Sequence, residues 1–335
     1  MALTSTEKLQ ETFSLALEDR SSGYQDLVSN ANALLYIMKE RNQWKPFSGP
    51  TIRERLLYNE SGTYTRYSGY QYLNPSPAEL FNDAEFTPKL AAVSPTLSGE
   101  DILKNAGTNQ IKDIMAAHIE AAEQELMDRF VEDLHSDGTA ANQIGGLQAA
   151  IPTTPTNVYG GIDRNANSIW ATTTYDIDTD FTGVSQFTST TAKSIYDQVV
   201  IPRSRGKKGP NLILASTQHF QAFSAALVAI QRIQNESRLG KLGFGSLQYV
   251  GGNGQMIDVV LEGGIGSAMP DNVTYFIDTS ALKFRYHPDR NFTKFGGKQM
   301  PVNQDAVTQH IGFFGNLTLC NPIHCAKLFD SDTAS

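Results

Sequence analysis

Cysteine is scarce in this chain: Cys320 and Cys325 are the only two among 335 residues. Two cannot make a disulfide framework, and their spacing suits neither a zinc ribbon nor a redox pair. Positive charge is also short, with 27 basic against 35 acidic residues and a formal −8. High-affinity, sequence-reading nucleic-acid binding is thereby excluded as the main task, because it needs cations to neutralise phosphates; coexistence with nucleic acid is still allowed. Charged residues reach only 19 %, which argues against a disordered solvating chain. Long apolar runs are missing: the longest, Ala225–Ile230, falls far short of the ~20 residues of a membrane helix. Met1–Lys8 has no basic leader followed by an apolar run, so no secretion signal is read there. These absences predict a soluble protein made in a reducing compartment, with no membrane partner. The apolar share, 40 %, is ordinary, and the length suits about two domains of roughly 150 residues each.

Catalytic signatures are missing as well. There is no Gly-x-Ser-x-Gly elbow, no Gly-Lys-Ser/Thr and no His-Glu-x-x-His. Gly206–Gly209 and Gly240–Gly243 lack the hydroxyl that would hold magnesium, and Gly252-Asn253-Gly254 and Gly264-Ile265-Gly266 lack a third glycine. All four read as turns. Cys320, His324 and Cys325 suggest a soft-metal cluster, but strand alternation sends His324 and Cys325 to opposite faces, so a packed strand is expected. Glu132, Asp133, His135 and Asp137 read as a polar helix end, and His118, His219, His287 and His310 are dispersed. No catalytic, cofactor or metal site is therefore expected.

What is present begins with Thr4-Ser5-Thr6-Glu7, a capping-box pattern ahead of Leu9, Phe13, Ala16 and Leu17. A second helix follows near Asn30–Arg41, with Ala31, Leu34, Leu35 and Met38 on one stripe. Two short helices cannot enclose a core, so Met1–Pro46 reads as an arm. Thr51–Tyr58 and Thr63–Tyr72, separated by Asn59-Glu60-Ser61-Gly62, read as a long hairpin carrying Arg53, Arg55, Arg66 and tyrosines 58, 64, 67, 70 and 72. Such a ribbon is not stable alone in water. It lies on its own domain or on a neighbour, and the residues alone leave both open.

Glu85–Leu97 reads as extended, and a helical tract starts at Ser98. From Ile111 to Leu134 the apolar residues keep helical spacing over about 36 Å. The other face carries Asp113, Glu120, Glu123, Glu125, Asp128, Glu132 and Asp133 against Lys112 and Arg129, which for a monomer is a solvated face. After a Gly-, Thr-, Asn- and Asp-rich stretch the chain turns α/β: helices over Thr188–Val200 and Thr217–Ile233, strands at Asn211–Ala215, Leu247–Leu261, Val273–Ile277 and Lys283–Tyr286, and further strand in Ala306–Leu328. Late elements return to earlier regions, so discontinuous domains are expected. Two basic stretches stand out: Arg203, Arg205, Lys207 and Lys208, then Lys283, Arg285, Arg290, Lys294 and Lys298. Either could touch phosphate; pairing with an acidic neighbour is preferred.

A helical arm, an Arg- and Tyr-rich hairpin and a long acidic helix precede Gly145-Gly146-Leu147, then Tyr159-Gly160-Gly161-Ile162-Asp163-Arg164 and Trp170. In this order the parts resemble the major capsid proteins of tailed bacteriophages (Caudovirales-type shells), which have the Hong Kong 97 fold shared with herpesvirus capsid floors and encapsulins. The resemblance covers most of the chain. It implies an α+β fold with an N-terminal arm (1–45), an extended β-hairpin loop (46–74), a peripheral domain with a long spine helix (75–145 and 291–335) and an axial domain (146–290). It moves the hairpin towards a neighbour, with Arg53, Arg55, Arg66, Tyr64 and Tyr67 meeting the adjacent peripheral domain near Glu120, Glu123 and Asp128.

The function so implied is structural, a subunit whose pentamers and hexamers build an icosahedral shell around double-stranded DNA, without catalysis or cofactor. Implied partners are itself, a separate scaffolding protein, a portal at one vertex, a decoration protein, and packaged DNA held weakly and non-specifically. The implied location is the virion capsid, assembled in the host bacterial cytoplasm. Thr51–Tyr72 contains no lysine, so covalent cross-linking through a loop lysine is not expected. The chain starts about 50 residues before the loop, too few for a built-in scaffolding segment. The alternatives are an encapsulin-like compartment and an α/β enzyme using the Gly-rich loops.

Overall fold

A computed structural model describes residues 32–57, 63–73, 81–100, 108–206, 208–229, 246–251, 254–263, 268–299 and 305–331. The expected first helix, the Asn59–Gly62 turn and the glycines at 240, 243, 252, 264 and 266 lie outside them. Asn32 caps α1 (Ala33–Glu40), its side-chain oxygen accepting the Leu35 amide at 3.2 Å. Ala33, Leu34, Leu35, Ile37 and Met38 are buried in the main core. Within the expected arm, α1 is thus packed into its own subunit, because the helix is apolar around most of its circumference and must be enclosed.

The chain continues through β1 (Trp44–Pro46), β2 (Ile52–Leu57), β3 (Phe81–Phe86), β4 (Lys89–Val93) and β5 (Thr96–Ser98). The partner of β2 is β3, in antiparallel register, and not the expected Thr63–Tyr72. Residues 63–73 are without regular structure. The physical reason is pattern. Arg53 faces Glu85 and Arg55 faces Asp83 across the ribbon, while Ile52, Leu56, Ala84 and Phe86 are buried on its other side. Tyr64, Tyr70 and Tyr72 share a parity that Tyr67 breaks, but all four are exposed, so 63–73 offers β2 no buried face.

Next comes α2 (Thr108–Leu134), whose 27 residues give about 40 Å of rod. Short elements follow: α3 (Leu147–Ala150), β6 (Val158–Tyr159), β7 (Ile162–Asp163), β8 (Thr173–Asp176) and α4 (Ile177–Asp180). The remainder is α5 (Ala192–Arg203), β9 (Leu212–Ala215), α6 (Thr217–Ala229), β10 (Ser246–Val250), β11 (Met256–Leu261), β12 (Val273–Ile277), β13 (Leu282–Gln299), β14 (Ala306–Leu319) and β15 (Ala326–Phe329). A 3₁₀ turn over Pro322–His324 separates the last two strands, so the continuous strand expected through His324 is interrupted.

Two sheets organise these elements. One orders β1-β13-β14-β4 with β5 also on β14; the other orders β10-β11-β9-β12-β15-β8. β13 crosses the expected domain boundary at Arg290 without a break, and β15 returns to the second sheet between β12 and β8. The second sheet is apolar on both faces. Ile213, Val259 and Phe276 pack with Tyr196, Val199 and Phe223 of α5 and α6, whereas Leu214, Val260 and Tyr275 join α1 and the first sheet in the main core. Below α2, Phe130 meets Phe284, Phe292 and Phe313 with ring centroids 5.3–5.6 Å apart. Phe292 reaches that cluster from a bulge in the β13–β14 ladder, with φ at 55°.

Candidate intersubunit surfaces

The base of the β2–β3 ribbon is held by a buried carboxylate. Alternation places Glu54 on the same side as Ile52 and Leu56, and it is 3 % exposed. Its Oε2 accepts from Lys283 Nζ at 2.8 Å and its Oε1 from Arg285 Nε at 2.6 Å, both from β13. The Cys320 thiol donates to Oε2 at 3.1 Å. Burial pushes the Glu54 carboxyl up, but the hydrogen bonds from Lys283 and Cys320 and the charges of Lys283 and Arg285 outweigh it, holding it below the usual carboxylate value. The same surroundings, burial first and the Glu54 charge second, push the Cys320 thiol up to about 12, which makes it an inert donor.

The Tyr159–Arg164 run forms a bracket beside this base. Gly160 and Gly161, at φ of 59° and 77°, make the two-residue turn between β6 and β7. The Gly160 carbonyl accepts the Glu85 amide at 2.9 Å. A Cβ there would meet Phe86 Cζ at 2.8 Å, so only glycine lets the turn approach β3 this closely. Tyr159 packs on Phe86 at 4.9 Å, its hydroxyl accepts the Leu319 amide, and its carbonyl accepts Trp170 Nε1 at 2.8 Å. Arg164, 1 % exposed, lies 4.4 Å over the Tyr159 ring and donates to the carbonyls of Ala149 and Ala150 at the end of α3. Burial pushes its guanidinium down to about 10. Gly146 closes the joint against α2, since a Cβ would lie 2.4 Å from the Leu134 carbonyl oxygen. Both glycine motifs read from the sequence therefore serve one joint, where α2, α3 and the ribbon meet.

A second buried polar knot ties α1 to this frame. Glu262, after β11, accepts from the Asn32 side chain and lies 3.2 Å from His135 Nε2 just past α2. Glu54 and Glu262 were not singled out from sequence, whereas Arg164 was read as part of the Tyr159–Arg164 run. Parity with Ile52 and Leu56 was the available signal for Glu54.

The sequence-selected residues lie further out. Arg53 pairs with Glu85 at 2.9 Å and Arg55 with Asp83 at 3.5 Å, all on the ribbon's exposed side. Arg66, Tyr64 and Tyr67 are exposed on the 63–73 segment, and Tyr70 and Tyr72 there are fully exposed. Glu120 and Asp128 are exposed on α2, and Glu123 lies on the same helix. Ala122, Leu126 and Phe130 form the buried side of that helix.

Comparison with known families decides what these parts belong to. Residues 89–331 match the SU10 major capsid protein family. The chain belongs to that family. The fold agrees: it is similar to a chain of the cyanophage A-1(L) capsid asymmetric unit, with a TM-score of 0.60 and 13 % identity over 86 % of this chain and 90 % of that one. It is also similar to the capsid of a native GTA particle, with a TM-score of 0.53 and 10 % identity over 87 % and 89 % of the two chains. Among curated proteins none matches the sequence. The major capsid protein thus has the mixed α+β fold of Hong Kong 97 type. Among the described residues no helix is long and apolar enough to cross a membrane.

Proposed function

We propose that this major capsid protein is the subunit of an icosahedral shell, assembling as pentamers and hexamers around packaged double-stranded DNA of a tailed phage. The family match over residues 89–331 carries this reading. The exposed tyrosines of 63–73 support it, since aromatic side chains strung along a segment without regular structure gain a partner only from outside their own core. In this reading the 46–74 loop, held at its base on its own β13 through Glu54, reaches with its exposed side to the adjacent subunit, and Arg53, Arg55, Arg66, Tyr64 and Tyr67 meet that subunit's peripheral domain near Glu120, Glu123 and Asp128. The work is assembly and not turnover.

A separate scaffolding protein, a portal at one vertex and a decoration protein complete the proposed partners, and assembly takes place in the host bacterial cytoplasm. With −8 per subunit, DNA is held by confinement and contacts the wall weakly. Sedimentation of the purified chain, alone and with its scaffold, tests the assembly. Fast-sedimenting closed particles are expected, and a monomer under every condition refutes it. Particles enclosing an enzyme in place of DNA would favour the encapsulin-like alternative. Salt-resistant, site-specific DNA binding in a gel shift would contradict the confinement argument.

A further inference from the structure

A cleft of about 830 Å³ opens beside the ribbon base. Arg55, Arg205 and Lys208 line it together with Ile169, Trp170 and Ile323, and among its lining residues there is no aspartate or glutamate. Arg205 and Lys208 are brought together by a tight turn. The Arg205 amide donates to the Lys208 carbonyl at 2.7 Å, and the Lys208 amide donates back at 3.1 Å. Ile169 and Ile323 are well exposed at the cleft. Basic groups without acids, next to exposed aliphatic side chains, make a receptor for an acidic surface that also brings small apolar groups.

We infer that the occupant is the outer face of α2 from a second copy of this chain, which rests on the shell reading above. Ala121, Glu125, Asp128 and Glu132 recur at i, i+4, i+7 and i+11, so they share one side of the helix. All four are exposed within the subunit; Glu132 already pairs with Arg129 at 2.8 Å, so Glu125 and Asp128 carry the charge offered to a second copy. That side is acidic and narrowed by an alanine, the complement of the cleft in charge and in shape. Within one chain the helix does not bring these acids to the cleft, because Leu126 and Phe130 fix its opposite side in the core. Arg53 and Arg55 already hold acids of β3, so Arg205 and Lys208 supply the main charge for the second copy. Contacts of this kind set registry and encounter more than raw affinity.

The test is a charge swap in the full chain. Arg205→Glu with Lys208→Glu should lower the yield of closed particles about tenfold, and Glu125→Lys with Asp128→Lys should do the same. The quadruple variant should recover most of the yield. Circular dichroism and a thermal melt matching the parent show that each subunit is folded. Because charge reversal also perturbs solubility, Lys208→Cys with Asp128→Cys, treated with a short bis-maleimide, gives an independent reading. A ladder of covalent dimers and larger species from particles, absent from either chain that adds only one cysteine to the native Cys320 and Cys325, is expected. The inference is overturned if particles form normally with the cleft reversed, if the quadruple variant is no better than the doubles, or if only intrachain links appear. Normal particles that lose packaged DNA on cleft reversal would reassign the cleft to nucleic acid and overturn it too. Failure of the parent chain to form particles would instead strike the shell reading itself.

Discussion

Replacing Glu54 by glutamine should detach the β2–β3 ribbon from its own subunit without unfolding the rest. The substitution keeps the shape and removes the charge that faces Lys283 Nζ at 2.8 Å and Arg285 Nε at 2.6 Å. Removing one partner of a fully buried ion pair costs about 3–5 kcal/mol. Lys283 and Arg285 retain 26 % and 18 % of their side-chain exposure, so water partly compensates them and the cost falls below that range, to about 2–3 kcal/mol. Hydrogen exchange of the residue 52–57 amides reads this directly, since it reports local opening and not only global unfolding. Protection there should fall by about 30- to 150-fold, with β9 and β12 unchanged. The sign of the pH dependence follows from the depressed carboxyl. The stabilisation is present above the reference value of 4.5 and is lost as pH falls through the folded value beneath it. Acid should therefore loosen the parent ribbon and leave the Glu54→Gln ribbon as it was. Unchanged exchange at neutral pH, or the same acid response in both proteins, would refute the reasoning.

Three further outcomes follow from the packing. Gly160→Ala should destabilise the subunit more than Gly161→Ala in urea unfolding, because both positions have positive φ but only the first would also press on Phe86 and Ala84; about 1–2 kcal/mol is expected for Gly161 and more for Gly160. Phe130→Ala should cost about 3–5 kcal/mol, read as a lowered urea midpoint, since it empties the centre of the Phe284, Phe292 and Phe313 cluster. His219 is buried against Phe187, and that burial holds its imidazole down to about 4. The folded state then resists protonation while the unfolded chain accepts it near 6.5, so stability is lost as pH falls from about 6.5 towards 4. Between pH 7 and 4.5 the loss is about 2–3 kcal/mol, and His219→Gln should remove that share in paired unfolding titrations.

The sequence was legible where a single period ruled. The long acidic helix was expected over Ile111–Leu134 and spans Thr108–Leu134, because its apolar stripe runs unbroken to the core contact at Leu134. Strands at Leu212–Ala215 and Val273–Ile277 were equally plain, being short apolar runs buried on both faces. Non-local pairing was harder. The partner of β2 was sought in the next β-forming segment, whereas opposite charges at Glu85 and Asp83 select β3, more than 20 residues further on. Local spacing gave α1 itself but hid its burial, which depends on surfaces contributed by β13 and the second sheet. Glu54 and Glu262 were missed for the same reason: their partners lie far along the chain, and an isolated charge looks like surface until its partner is placed. The glycine motifs were read correctly as a signature, but their physical task, seating a turn on β3 and a loop on the end of α2, emerges only from the contacts at Gly160 and Gly146.

Electron microscopy of particles formed by the purified chain with its scaffold tests the central claim most directly. The account predicts closed icosahedral shells built from pentamers and hexamers, with density for the 63–73 segment of each subunit lying across its neighbour. Well-dispersed single subunits under all assembly conditions, or shells in which the exposed 63–73 segment folds back on its own subunit, would contradict it.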